Sequence, residues 1–188
     1  MAAVAVLVAL PWLNPITFGP SAAMVQWLLS VVAGAGLLCV AAWSGFTGGA
    51  MARSAWGRGL AWGWLLAGLI SSLIALLQYT GHSAAWAPWV NATPAGEAFA
   101  NLRQRNQFAT LTNMALASLC WVVVLARGDR RRMLHIGFAV LLGVGNAASA
   151  SRTGLLQLVL LAGLVVLWGG WRHASVRRVL LAAVLAYG

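Results

Sequence analysis

Charge is what this sequence has least of. Only 7% of its 188 residues are charged, two of them are acidic, and lysine is absent, so all twelve basic residues are arginine. A water-soluble domain carries about a quarter to a third charged residues on its surface, which excludes a soluble globular fold here. Cysteine is nearly absent too. Cys39 and Cys120 both fall inside apolar runs, where cysteine reads as a small core residue and not as a disulfide or metal pair. The three histidines, His82, His135 and His173, are scattered and form no metal-ligand pattern. Glu97 is the one carboxylate away from the basic turns, and a single carboxylate does not make a general acid/base pair.

What is present is hydrocarbon. The chain is 62% hydrophobic, with a mean hydropathy of +0.86, and its apolar runs approach the about 20 residues that cross a bilayer core of roughly 30 Å. The fold class expected is all-α, a polytopic transmembrane helical bundle of six to seven spans forming one domain over residues 1–188. A first span over Ala2–Leu10 precedes Pro11 and Pro15, with Trp12 at an interface. The second is Ala22–Trp43. Ser44–Gly59 reads as a Gly-rich connection carrying Arg53 and Arg58. The third span is Leu60–Tyr79, and Gly59 and Gly63 form a small-xxx-small pair suited to close helix packing. Thr80–Asn101, with its prolines and glycines, reads as an aqueous loop. Spans follow over Phe108–Ala126, Met133–Ala150 and Leu155–Trp171, separated by a basic turn at Arg127–Arg132, and a second basic turn, Arg172–Arg178, leads into Val179–Gly188. That last apolar stretch is about half of a span, so the expectation is the N-terminal part of a larger protein, truncated inside its seventh span.

The net charge of +10 does not point to nucleic acid. The arginines lie in short clusters between apolar runs, the pattern of topology signals. Placing residues 53–58, 127–132 and 172–178 in the cytoplasm puts nine arginines inside and leaves Arg103, Arg105 and Arg152 outside. The N-terminus is then cytoplasmic. Three arginines thus run against the positive-inside trend, and charge that topology does not require is a candidate for function.

Polar residues gather around these three. Asn101–Ala109 holds two arginines, two asparagines and two glutamines within seven positions. With a helix from about residue 103, Arg103, Asn106, Thr110 and Asn113 share one face. Asn146, Ser149, Ser151, Arg152, Thr153 and Gln157 form a second polar group. Polar stripes in lipid face protein or a water-filled cavity, so both are expected to meet at an outward-opening cleft. Arginine suits phosphate because its planar fork donates paired hydrogen bonds and stays charged. The alternative for each is snorkelling to lipid phosphates.

Two segments carry a family resemblance. Asn101-Leu-Arg-Gln-Arg-Asn-Gln-Phe-Ala109 resembles the GN-x-x-Q-x-N-x-F/L-A segment of bacterial O-linked oligosaccharyltransferases of the PglL type, with Ala100 where glycine is often seen. Ser149-Ala-Ser-Arg-Thr-Gly154 resembles the S-x-SR-[TG]-G segment of the O-antigen ligase superfamily. Pro11-Trp-Leu-Asn-Pro15 with Phe18, and Leu77-Gln-Tyr79, also fit the PglL-like subgroup. The resemblance implies an inner-membrane glycosyltransferase that needs neither metal nor cofactor. Its donor is a glycan on undecaprenyl diphosphate, and its acceptor is a protein Ser/Thr hydroxyl or a lipid A–core sugar on the periplasmic side. The resemblance carries over Arg152 and the run Gln104, Arg105 and Asn106, whose implied role is to hold the diphosphate; the outer position of Arg103 adds it to that group, and Asn101, Ser151, Thr153 and Asn113 are the supporting candidates. The family's base histidine lies in a large periplasmic loop that this sequence does not reach, and His82, His135 and His173 do not match it. A glycan polymerase of the same superfamily is a close variant. A transporter or flippase for an anionic lipid-linked substrate is the rival from another class, and a structural membrane subunit the third.

Overall fold

The computed structural model describes residues 1–15, 22–47, 50–126 and 131–188, and over these the chain is all-helical. Phe18, Arg127, Asp129 and Arg130 lie outside them. Seven α-helices follow one another: α1 (Ala2–Leu13), α2 (Ala22–Thr47), α3 (Ala50–Tyr79), α4 (Arg105–Leu125), α5 (Arg132–Ala148), α6 (Arg152–Leu167) and α7 (Ala174–Tyr187). Stretches 24–44, 54–79 and 105–125, in α2, α3 and α4, are long and apolar enough to cross a membrane. The apolar helices α1, α5 and α6 have 12, 17 and 16 residues, so at about 1.5 Å per residue they reach roughly 18 to 26 Å.

Several boundaries differ from the sequence expectation. The Gly-rich connection is mostly helix: α3 starts at Ala50, and Trp56 Nε1 donates to Ser44 Oγ at 2.8 Å to tie its first turns to the end of α2. Ala, Met and Arg in this stretch are strong helix formers, which outweighs its glycines. The second basic turn is likewise shorter, because α7 begins at Ala174 and takes in Arg177 and Arg178. In α1, Pro11 lies within the helix, which ends at Asn14 in the left-handed region. Cys120 is buried in the core as expected, whereas Cys39 is exposed on α2.

Helix α3 is the central element, packed chiefly on α4 and α1, while α7 packs on α5 and α2 rests mainly on α1. Gly59 and Gly63 admit α1: a Cβ at Gly63 would come within 2.7 Å of Val8 Cβ and 2.8 Å of the Ala5 carbonyl. The main core joins Leu65 and Leu69 of α3, Leu116 and Leu119 of α4, Leu142 of α5 and Leu180 of α7. A second cluster, built on Phe108, Leu111, Ala67 and Ala100, sits toward the end of the bundle where α4 begins.

Residues 80–104 cap that end. This stretch is anchored at its base, where Ser83, Val90, Ala98, Ala100, Asn101 and Leu102 are buried, while most of its other residues, Trp86 and Trp89 among them, are exposed as expected for a loop. Three side-chain amides hold it. Gln78, the penultimate residue of α3, is fully buried. Its Oε1 accepts from the Phe99 and Ala100 N–H groups at 3.1 and 2.7 Å, and its Nε2 donates to the Asn91 and Ala100 carbonyls at 2.9 and 2.8 Å. Asn101 Oδ1 accepts from the Asn91 N–H at 3.0 Å, and its Nδ2 donates to the Leu13 and Trp89 carbonyls at 3.1 and 2.9 Å. Asn14 Nδ2 returns the link by donating to the Asn101 carbonyl at 3.2 Å. Polar backbone buried this way carries a desolvation cost unless it is paired, so these amides let an irregular segment fold against apolar helices.

Candidate functional site

The capping segment delivers the polar run of residues 101–107 to the start of α4. Ala100 and Arg103 both adopt the left-handed backbone, at φ 53° and 57°. Gln104 is extended and precedes the first helical residue, Arg105. The helix therefore starts two residues later than the periodicity suggested, and Arg103 is not on the Asn106–Thr110–Asn113 face. Arg103, Gln104 and Arg105 are exposed. Arg105 Nη2 lies 3.3 Å from Glu97 Oε1, with both side chains close to half exposed.

The second polar group is built in the same way. Helix α5 ends at Ala148, and a tight turn runs through Ser149 and Ala150, the latter at φ 49°. Ser149 Oγ donates to the Asn146 carbonyl at 2.5 Å and accepts from the Ser151 N–H at 3.2 Å. Ser151 caps α6, accepting from the Gly154 N–H at 3.1 Å, which is the usual work of a serine at this position. Arg152 is the first residue of α6 and is exposed, as is Thr153.

The two groups meet along the α4–α6 interface. Ser151 Oγ donates to Asn106 Oδ1 at 2.8 Å. One turn deeper, Gln157 Nε2 donates to Thr110 Oγ1 at 3.0 Å, and Thr110 Oγ1 donates to the Asn106 carbonyl at 2.9 Å. Deeper again, Asn113 Nδ2 donates to the Gly154 carbonyl at 3.1 Å and to the Ala109 carbonyl at 2.9 Å. Residues at the start of α4, 106 to 113, pair with residues at the start of α6, 151 to 157, so the two helices lie with their N-termini side by side. Gly154 makes the approach possible, because a Cβ there would sit 2.7 Å from Ala109 Cβ and run into Asn146 Oδ1.

The polar faces thus close on each other as a hydrogen-bonded seam. The opening lies beside it, a shallow groove of about 260 Å³ lined at its polar end by Thr110, Asn113 and Gln157 and further along by Met114, Leu160 and Leu164. Arg105 and Arg152 are each the first residue of their helix, and each adjoins one partner of the Ser151–Asn106 hydrogen bond. Neither helix has an acidic residue in its first turn. Two helix N-termini present unpaired backbone N–H groups and a partial positive charge at one place, and two guanidinium groups add whole charges. Such an end attracts an anion.

Asn106, Asn113 and Ser151 are therefore joined across the two segments, and Arg105 and Arg152 each stand next in sequence to a partner of the Ser151–Asn106 hydrogen bond, with exposed side chains. Asn101 is close in sequence but serves the cap, with its amide spent on Asn91, Leu13 and Trp89. Thr153 is exposed on the first turn of α6, outside the seam. Sequence reasoning passed over Gln78 and Asn14 as parts of this architecture. The available signals were a glutamine at the end of a long apolar run and an asparagine beside two prolines. A family model described as a protein glycosylation ligase matches residues 98–122, from the end of the cap through most of α4. No curated protein and no solved structure matches the chain. Over that short stretch the chain is similar to a family of membrane glycan-transferring proteins, and the similarity supports a transferase-type activity in general terms.

Proposed function

We propose that this chain is the donor-binding part of a bacterial inner-membrane glycosyltransferase. In this reading it takes a glycan from undecaprenyl diphosphate and passes it to a protein Ser/Thr hydroxyl or a lipid A–core sugar on the periplasmic side. The observation that carries the proposal is the pinning of two arginine-headed helix N-termini by the Ser151–Asn106 hydrogen bond. The groove beside the seam adds a route for the donor's hydrocarbon, polar at one end and lined by leucine and methionine further along. The glycosylation-ligase match over 98–122 covers the α4 half of the site.

The roles follow from the chemistry. Breaking the bond between the sugar and its phosphate leaves negative charge on the departing diphosphate. Arg152 and Arg105 would stabilise that charge through preorganised donors, an effect of about 3 kcal/mol for a well-placed donor. Arg103 and Gln104 flank the same helix start. Asn106 and Ser151, with Asn113 deeper, keep the two helices in register, and Thr153 lies on the exposed first turn of α6. The Arg105–Glu97 pair is exposed, and such pairs contribute about 0–1 kcal/mol, so a diphosphate would readily exchange for Glu97.

The test is binding of undecaprenyl diphosphate to the purified chain in detergent, with undecaprenol as the control for the hydrocarbon alone. Arg152→Ala is expected to weaken diphosphate binding by about tenfold or more, the scale of one charge-assisted hydrogen bond, and to leave undecaprenol unchanged. Arg152→Lys should recover only part of the loss, because a point charge does not reproduce the guanidinium fork. Unaltered binding by Arg152→Ala would remove Arg152 from the site.

A further inference from the structure

The end of the bundle opposite the α4 and α6 N-termini has a site of its own. Between the C-terminal end of α4 and the starts of α5 and α7 lies a cavity of about 220 Å³, lined by Arg132, His135, Ser175 and Arg178 together with Val123 and Ala126. A neighbouring cavity of about 180 Å³ is lined by Arg58, Arg131, Trp62 and Trp121. The two share His135 and Ala126 as lining residues, so they adjoin. Arg132 and Arg178 also make contacts within the protein.

A topology signal needs only arginines somewhere on the correct side. It does not need four of them arranged around recesses between helices, with a histidine at the junction and tryptophans on one wall. We propose that these adjoining cavities bind an anionic phospholipid. Its phosphate sits among Arg132, His135, Ser175 and Arg178, and its glycerol and first acyl carbons lie against Trp62, Trp121 and Leu125. Charge complementarity argues for the anionic class, since guanidinium groups pair with phosphate oxygens through two parallel hydrogen bonds. Basic pockets between membrane helices are a recognised form of headgroup site. The tryptophan wall argues for a lipid over a soluble phosphate, because aromatic side chains at an interface pack against the boundary between headgroup and chain. The inference is independent of the donor site at the other end.

Native mass spectrometry of the delipidated chain in detergent, titrated with dioleoylphosphatidylglycerol or dioleoylphosphatidylcholine, tests it. Phosphatidylglycerol is expected to bind more tightly than phosphatidylcholine. Arg132→Gln/Arg178→Gln removes the two arginines placed on the phosphate and should weaken phosphatidylglycerol by about tenfold, two arginines' worth of headgroup attraction. Arg172→Gln/Arg177→Gln removes equal charge from exposed positions that do not line either cavity and should have little effect. If the first double variant does not fold, Arg132→Gln alone carries the same comparison with a several-fold loss. Equal binding of the two lipids overturns the proposal, and so does an equal loss in both double variants, which would mean diffuse attraction. Displacement of phosphatidylglycerol by millimolar inorganic phosphate would reassign the cavities to a soluble anion.

Discussion

At the scale of single residues, the side chains that shape the site end are amides and not arginines. Gln78 is fully buried and spends both ends of its amide on four backbone groups. Replacing it with a leucine of similar size strands those groups away from water, at about 1–3 kcal/mol for each left unpaired. Gln78→Leu is therefore expected to destabilise the protein by at least about 3 kcal/mol, read as a lower thermal unfolding temperature in detergent, with proteolysis beginning in residues 80–104. A wild-type melting profile would refute this account of the cap. Ala100 makes a subtler point. Its φ of 53° lies in the left-handed region that favours glycine. An L-residue held in that region is strained by about 1–2 kcal/mol. Ala100→Gly relieves that strain but adds chain entropy to the unfolded state and loses a buried methyl, so its net effect should stay within about 1 kcal/mol. Ala100→Val places a β-branched side chain where it is a conformational outlier in a position with no exposed surface, and should cost about 2 kcal/mol or more. Thermal unfolding of the two variants side by side checks the contrast.

At the scale of elements, the α4–α6 pair is decisive. Its seam depends on a residue with no side chain. Gly154 lets the first turn of α6 approach Ala109 and Asn146, and only then can Ser151 reach Asn106 and Asn113 reach the Gly154 carbonyl. Gly154→Val should push the α6 N-terminus away from α4 and weaken undecaprenyl diphosphate binding by about tenfold, while Arg105 and Arg152 both remain; losing one charge-assisted contact is an effect of this order. A cysteine pair at 106 and 151, cross-linked in the parent and not in the valine variant, would show the separation directly. Preserved affinity in Gly154→Val would mean that the two helix ends act independently. The polar periodicity of α4 was legible beforehand because Asn106, Thr110 and Asn113 recur at helical spacing. The place of Arg103 was not, since a left-handed residue followed by an extended Gln104 ends the preceding turn before the helix starts.

At the scale of the whole molecule, described arginines gather at two ends. One end carries Arg103, Arg105 and Arg152 beside two helix starts. The other carries Arg58, Arg131, Arg132 and Arg178 around two cavities. The proposed orientation puts the first group outside and the second in the cytoplasm. Alkaline phosphatase fused after Ala87 is expected to be active, and fused after His173 inactive, in a bacterial host. The opposite result would invert the assignment and move the donor site to the cytoplasmic face.

The sequence by itself determined the solvent and the class of fold. Apolar runs with so little charge have no alternative to membrane helices, because hydrocarbon forces each backbone polar group to pair within its own segment. The clustering of arginine, asparagine and serine in two short segments also marked the residues worth following. Tertiary structure decided how those residues divide their work. Hydrogen bonds between side chains far apart in sequence, such as Ser151 with Asn106 or Asn101 with the Leu13 carbonyl, leave no periodic trace in the chain. They depend on which helix faces meet and how closely the glycines let them approach. For the same reason the expected open cleft is a closed seam with a groove beside it: polar groups in lipid that can reach one another pair, and what stays exposed at the helix ends is the charge.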